Sequence, residues 1–242
     1  MPRTEAGLQR RVWNQILVGT LIWGVLITQP LENGILQPIA GLVLLAFFVV
    51  FPLGLLLASP GIPTIPYKVA LFLQPFAAFI AAISFFMPKG VISATFAIAW
   101  LPVTLFALWN ALLTVRKAGI RNLLMNPAEL CFVVAQVYVP VGAIWFVGSR
   151  LGVGLMEFSE PIILLTAIHF HFAGFAAPIL AGLVGQHFNQ PTNQPTHPLL
   201  LIFYRIVAFI VMLGPALVAV GITFSPVVEA LAGAILAFGY TG

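Results

Sequence analysis

The sequence predicts an all-α protein, a polytopic transmembrane helical bundle of seven or eight spans. Of its 242 residues, 61% are hydrophobic and only 7% are charged, whereas soluble domains carry about 25% charged residues. So few charges cannot cover a water-exposed surface, so we expect the chain to lie in a lipid bilayer. The apolar residues form continuous runs, unlike the short alternating segments of a membrane β-barrel.

Eight apolar runs, bounded by Pro, Gly, Asn and charged residues, define the predicted spans. They cover residues 12–29, 35–58, 67–87, 91–114, 127–147, 161–185, 198–221 and 226–241. Seven are long enough to cross about 30 Å of hydrocarbon as helices. The eighth is short, a partial span. The runs fill residues 1–242 as a single integral membrane domain.

Lysine and arginine are distributed unevenly between the two sets of loops. With the N-terminus in the cytoplasm, only Lys89 and Arg150 fall in outside loops, together with Glu32, Glu157 and Glu160. The basic residues placed inside are Arg3, Arg10, Arg11, Lys68, Arg116, Lys117 and Arg121. Because basic residues favour cytoplasmic loops, we predict a cytoplasmic N-terminus.

The charged residues and the cysteine exclude several classes of partner and cofactor. The basic residues behind the net charge of +4 sit singly or in small groups between apolar runs, so they indicate topology and no nucleic-acid partner. The single cysteine, Cys131, excludes an intrachain disulfide framework and a multi-cysteine metal site. No Asp occurs and no phosphate-binding loop appears, which excludes intramembrane aspartyl chemistry and leaves the cofactor and any catalytic residue unassigned.

One loop, QHFNQPTNQPTHP at residues 186–198, repeats Asn-Gln-Pro-Thr and contains His187 and His197. Proline at every fourth residue prevents a helix there. The two histidines are far apart in sequence and have no carboxylate or thiol nearby. We interpret the loop as a cytoplasmic linker in preference to a metal site.

Ionisable and amide side chains within spans are the candidates for function, because such groups are costly in lipid. They are His169, His171, Arg205, Glu129, Gln136, Asn110, Gln74 and Glu229. Arg205 can extend to the cytoplasmic surface. Glu129 follows Pro127 in the first turn of its span, where a carboxylate stabilises the positive helix terminus.

The strongest local feature is the pair His169 and His171, near the centre of the sixth span. Residues two apart diverge by about 200° on a helix, so the pair cannot bind one metal ion. A stripe of small residues follows His169 at every fourth position (Ala173, Ala177, Ala181 and Gly185), which predicts close contact with another helix. We therefore expect His169 to contact a neighbouring helix and His171 to face a cavity beside Pro178. That proline also removes the hydrogen bond to the carbonyl of Gly174.

The motif IHFHFAGF at residues 168–175, together with length and hydropathy, resembles the YndJ-like family of bacterial membrane proteins. The resemblance implies a multi-pass protein of the bacterial cytoplasmic membrane and supplies no reaction. It singles out His169, Phe170, His171, Phe172, Gly174 and Phe175.

The leading functional prediction is transport or binding of a small solute or lipid at a polar site in mid-membrane. The predicted binding residues are His169, His171, Gly174, Glu129 and Arg205, without a metal. Two alternatives stay open. One is an intramembrane enzyme that uses a histidine as acid or base on an apolar substrate, and the other is a structural subunit of a membrane complex or homo-oligomer.

Overall fold

The computed structural model describes residues 3–58, 63–188 and 197–241. Helices make up nearly all of these residues, and the described ranges contain no strand beyond an isolated bridge. The helices are α1 (Arg3–Leu26), α2 (Leu36–Leu57), α3 (Ile65–Phe86), α4 (Val91–Ala118), α5 (Ile120–Met125), α6 (Pro127–Leu151), α7 (Ile162–Phe188), α8 (Pro198–Phe224) and α9 (Pro226–Thr241). The predicted all-α polytopic bundle is confirmed. The tandem Asn-Gln-Pro-Thr repeat lies outside the described residues.

Six helices are long and apolar enough to cross a membrane: α2, α3, α4, α6, α7 and α8. The sequence predicted seven in this class. The difference lies in α1, whose first half carries Arg10 and Arg11 and whose apolar part ends at Leu26, only about 22 Å from Val12. α9 is a 16-residue apolar helix, as the short eighth run predicted.

Prolines set many of the helix boundaries and bends. Pro66, Pro127, Pro198 and Pro226 lie in the first turn of α3, α6, α8 and α9, where a missing backbone N–H breaks no helical hydrogen bond. Pro75, Pro140 and Pro215 lie within α3, α6 and α8. Each of these interior prolines leaves a backbone carbonyl one turn earlier without its helical donor.

Two helices contain a π-helical turn that precedes a proline. The turns cover Ala46–Val50 in α2 and Phe172–Ala176 in α7, before Pro52 and Pro178. The bend predicted at Pro178 therefore takes the form of a wider helical turn. The segment that follows the turn of α2 packs on the turn of α7, because the rings of Phe51 and Phe175 stack with their centroids 5.3 Å apart.

Candidate functional site

His171 lies in the interior of the bundle and is only 1% exposed. The indole Nε1 of Trp100 donates to His171 Nε2 at 3.1 Å, and His171 Nδ1 lies 2.7 Å from the carbonyl oxygen of Ala167. A carbonyl oxygen can only accept, so the neutral ring donates from Nδ1 and accepts at Nε2. Both ring nitrogens are satisfied within the protein.

Aromatic side chains and a glycine fill the space around His171. Phe47 stacks on Trp100 with ring centroids 4.2 Å apart, and Phe146 packs edge-on against Phe47 at 5.0 Å. A Cβ atom at Gly142 would lie only 2.6 Å from His171 Nδ1, so α6 packs directly against the imidazole. The prediction that His171 faces a cavity is therefore wrong. Its face of α7 is filled by aromatic rings from α2, α4 and α6 that are distant in sequence.

His169, in contrast, reaches the neighbouring helix α8, as predicted from the stripe of small residues. His169 Nε2 lies 2.9 Å from the carbonyl oxygen of Pro215. One turn of α8 away, the hydroxyl of Tyr138 donates to the carbonyl oxygen of Met212 at 2.7 Å. Side chains from α6 and α7 thus hold α8 at its interior proline and about one turn before it.

His169 also lines a cavity of about 540 Å³ between α6, α7, α8 and the loop that joins α6 to α7. Most of the lining is apolar and comes from Val141, Trp145, Met156, Phe158, Leu165, Ile168, Phe170, Ala219, Val220, Ile222 and Phe224. The hydroxyls of Thr166 and Thr223, which also line it, donate to carbonyls of their own helices at 2.8 and 2.9 Å. The hydroxyl oxygens of both threonines keep lone pairs, but their protons are engaged. His169 adds a nitrogen acceptor to the lining, because a ring that donates from Nε2 keeps a lone pair on Nδ1.

The structure does not bring the other predicted binding residues to this cavity. Gly174 packs against α6, where an added Cβ would lie 2.9 Å from Tyr138 Cβ. Glu129 is in the first turn of α6 and accepts from Asn126 at 3.3 Å, about 20 Å along the helix from Gly142. Arg205 lies on the exposed side of α8, in a groove next to α9.

Small residues follow His169 along α7, and the predicted close contact with a neighbouring helix is seen at Gly185 and Ala181. Ala181 packs against a buried cluster that includes Tyr204 and Ala208 of α8. A Cβ at Gly185 would collide with the Tyr204 hydroxyl of α8. Near Ala177 and Ala181, α7 and α8 leave a cavity of about 310 Å³ between them.

A buried charged network, which sequence reasoning placed in exposed outside loops, connects three loops at one end of the bundle. Arg150 is in the last turn of α6 and is 1% exposed. Its guanidinium pairs with Glu32, donates to Ser93 Oγ at 3.1 Å, and donates to the carbonyls of Ser84 and Met87 at 2.9 and 3.2 Å. The Phe85 ring centroid lies 4.8 Å from Arg150 Cζ. All sides of the guanidinium are thus occupied.

Lys89 and Glu160 extend this network. Lys89 Nζ lies 3.2 Å from Glu160 and 3.9 Å from Glu32. Glu160 also accepts from the Ser149 hydroxyl and from the backbone N–H of Leu164. We define Glu32, Lys89, Arg150 and Glu160 as the charged end. The signal in the sequence was that all four residues fell in loops assigned to the same side of the membrane.

Comparison with known proteins agrees with this architecture. The family model described as YndJ-like protein matches residues 41–242, which run from within α2 to the end of α9. The chain is 30% identical over 195 residues to "Uncharacterized membrane protein YndJ" of Bacillus subtilis (strain 168), which covers 76% of this chain and 33% of the relative. The chain therefore spans about a third of that relative's length. No solved structure matches. This multi-pass membrane protein belongs to the YndJ-like family.

Proposed function

We propose that this protein binds a lipid or lipid-like solute in the cavity that ends at His169. The observation that carries the proposal is the combination of an apolar lining and one imidazole with an unused acceptor. Ligand sites of about 300–1,000 Å³ with a few placed polar groups are typical for small molecules, and this cavity measures about 540 Å³. A ligand with an apolar body and one hydroxyl donor satisfies both features.

The packing of the bundle centre favours an apolar ligand over a hydrophilic solute that crosses the protein. His171 and the rings of Phe47 and Trp100 fill the centre, and each is 1% exposed or less. A hydrophilic solute would need polar groups along a path through this region. The cavity at His169 instead lies between three helices near the charged end, where a lipid-like molecule can retain apolar surroundings.

Binding is also favoured over acid–base catalysis. A histidine in catalysis works with further polar groups that position the substrate or stabilise developing charge. The lining hydroxyls of Thr166 and Thr223 are engaged by helix carbonyls. The protons of both hydroxyls are therefore unavailable to a substrate, and His169 is the ionisable side chain among the described residues that line the cavity.

The fluorescence of Trp145, which lines this cavity, can test the proposal. Dibromo-octadecanol should quench Trp145 in a saturable way in detergent micelles, because bromine quenches only near the ring. Dibromo-octadecane has no hydroxyl and should bind about tenfold more weakly, the equivalent of one hydrogen bond. His169→Phe should remove this preference, and Trp145→Phe should remove the saturable signal.

A cavity-filling variant and a matched control complete the test. Ala219→Phe places a ring in the cavity and should abolish saturable quenching, whereas Ala230→Phe on the exposed face of α9 should leave it unchanged. Equal quenching in wild type and Ala219→Phe would show that the bromolipid binds elsewhere. Equal affinity for the alcohol and the hydrocarbon would remove the role assigned to His169.

A further inference from the structure

A second cavity, of about 480 Å³, lies between α1, the π-helical turn of α2 and the middle of α3. One face of α1 lines it from Gly7 to Ile22, including Arg10, Arg11, Asn14 and Gln15. Phe48, Gln74 and Pro75 form the opposite side. We name this region the glutamine cleft. It shares no lining residue with the cavity at His169.

Gln74 is 1% exposed and donates from Nε2 to the carbonyl oxygen of Phe47 at 2.7 Å. In the π-helical turn of α2 the backbone N–H of Phe51 donates to Ala46, and the next residue, Pro52, has no N–H to donate. The carbonyl of Phe47 therefore needs a donor from outside its helix. Because a carbonyl only accepts, the amide nitrogen of Gln74 must face it. Its oxygen, Oε1, is buried and has no partner in the described part of the chain.

Gln15 repeats this arrangement on the opposite side of the cleft. Its Nε2 donates at 3.4 Å to the carbonyl oxygen of Leu71, which Pro75 leaves without a helical donor. The Oε1 of Gln15 is likewise buried, with no hydrogen-bond partner among the residues that the structure describes. Buried polar atoms are nearly always paired in folded proteins. Each oxygen has almost no surface open to the cleft, so a donor from outside the chain can reach it only when the amide turns toward the cleft.

The charge of the cleft is set by α1. Arg10 and Arg11 line the part of the cleft nearer the start of α1, and Gln15 and Gln74 line the deeper part. The guanidinium of Arg11 lies 5.3 Å from the centre of the Phe72 ring. Arg11 lies one turn, about 6 Å, from Gln15 along the helix axis. No acidic side chain is among the lining residues that the structure describes. One part of the cleft therefore attracts anions, and the deeper part accepts hydrogen bonds.

We propose that the glutamine cleft binds a small solute that has an anionic group at one end and ammonium or hydroxyl donors at the other. The anionic group pairs with Arg10 and Arg11, and the donors reach the oxygens of Gln15 and Gln74. A glycerophospholipid fits poorly. With its phosphate at the arginines, the groups deeper in the membrane are ester carbonyls, which are acceptors and would face two further acceptors.

Calorimetric titration of the full chain in detergent micelles tests this proposal with four probes. Phosphoethanolamine and glycerol 3-phosphate carry both features, methyl phosphate lacks the donors, and ethanolamine lacks the anion. We expect saturable heat from the first two and at least about tenfold weaker binding of the others. Heat from methyl phosphate equal to that from phosphoethanolamine would overturn the role of the glutamines. Absence of saturable heat from all four would show that the cleft holds water only.

Matched variants locate the binding. Gln15→Met should weaken the binding of phosphoethanolamine by about tenfold or more. The double variant Arg10→Gln and Arg11→Gln should have the same effect. Two controls should leave it unchanged: Gln136→Met, whose oxygen already accepts from Asn110, and the pair Arg116→Gln and Lys117→Gln on α4. Equal losses of binding affinity in the variants and the controls would overturn the assignment of binding to the glutamine cleft.

Two further experiments distinguish this site from a lipid-headgroup site and from the cavity at His169. Competition by phosphatidylethanolamine in nanodiscs, at concentrations where phosphoethanolamine binds, would assign the cleft to a lipid headgroup and overturn the soluble solute. His169→Phe should leave phosphoethanolamine binding unchanged, so that this proposal and the lipid-binding proposal can fail independently.

Discussion

The charged end and the glutamine cleft are both polar regions in an apolar bundle, but they differ in how completely their hydrogen bonds are made. Arg150 has an acceptor for each of its nitrogens, from Glu32, Ser93 and two backbone carbonyls. Gln15 and Gln74 use their nitrogens on carbonyls and leave both oxygens unpaired. The comparison teaches that the nitrogens of Arg150 all find acceptors within the chain, whereas the cleft leaves two acceptors for the ligand that we propose.

Labelling of introduced cysteines from outside the cell can show which side of the membrane each region faces. If the N-terminus is cytoplasmic, the charged end faces outside. In a Cys131→Ser background, an impermeant maleimide added to intact cells should label Val153→Cys, in the exposed loop after α6, and should not label Lys117→Cys at the end of α4. The reverse pattern would place the charged end in the cytoplasm.

The largest energetic effect should come from breaking the charged end. Arg150→Met leaves the carboxylate of Glu32 partly buried without its main partner, which typically costs about 3–5 kcal/mol in free energy of unfolding. SDS titration in mixed micelles can measure this change. The double variant Glu32→Gln and Arg150→Met removes the stranded charge and should recover part of the loss. A change below about 1 kcal/mol would show that the network behaves like an exposed ion pair.

The success and the failures of sequence reasoning follow the same division between local and long-range information. The helices were predictable because the hydropathy of each apolar run is a local property of the sequence and by itself favours a helix in lipid. Arg150 was missed because its partner, Glu32, lies 118 residues away. His171 was placed beside a cavity because the small residues on one face of α7 gave no information about Trp100, which fills the other side. Pro52 and Pro75 were visible signals, since each frees a carbonyl that a glutamine then satisfies.

A substitution in the centre of the bundle should lower the free energy of unfolding by less than one in the charged end, but by more than one in the cleft. Trp100→Phe keeps an aromatic ring and removes the indole N–H that donates to His171 Nε2. The acceptor is then buried without a partner, so we expect a loss of about 1–3 kcal/mol in free energy of unfolding. Trp109→Phe, whose ring is half exposed, is the control and should change stability by less than about 0.5 kcal/mol. Equal effects of the two variants would show that the hydrogen bond to His171 adds no stability.

The smallest effect should come from the cleft itself, and two buried glutamines allow a matched test. Gln136 accepts from Asn110 at 2.7 Å and donates to Phe132 at 2.9 Å, so Gln136→Met strands the amide of Asn110 and should cost about 1–3 kcal/mol. Gln74→Met leaves the carbonyl of Phe47 without its donor, but it also removes an oxygen that is buried without a partner. The loss of a favourable bond and the removal of an unfavourable desolvated acceptor oppose each other, so the free energy of unfolding without ligand should change by less than about 1 kcal/mol. A loss at Gln74 as large as that at Gln136 would mean that the oxygen of Gln74 is already satisfied in the folded protein, and the contrast between the complete and the incomplete region would disappear.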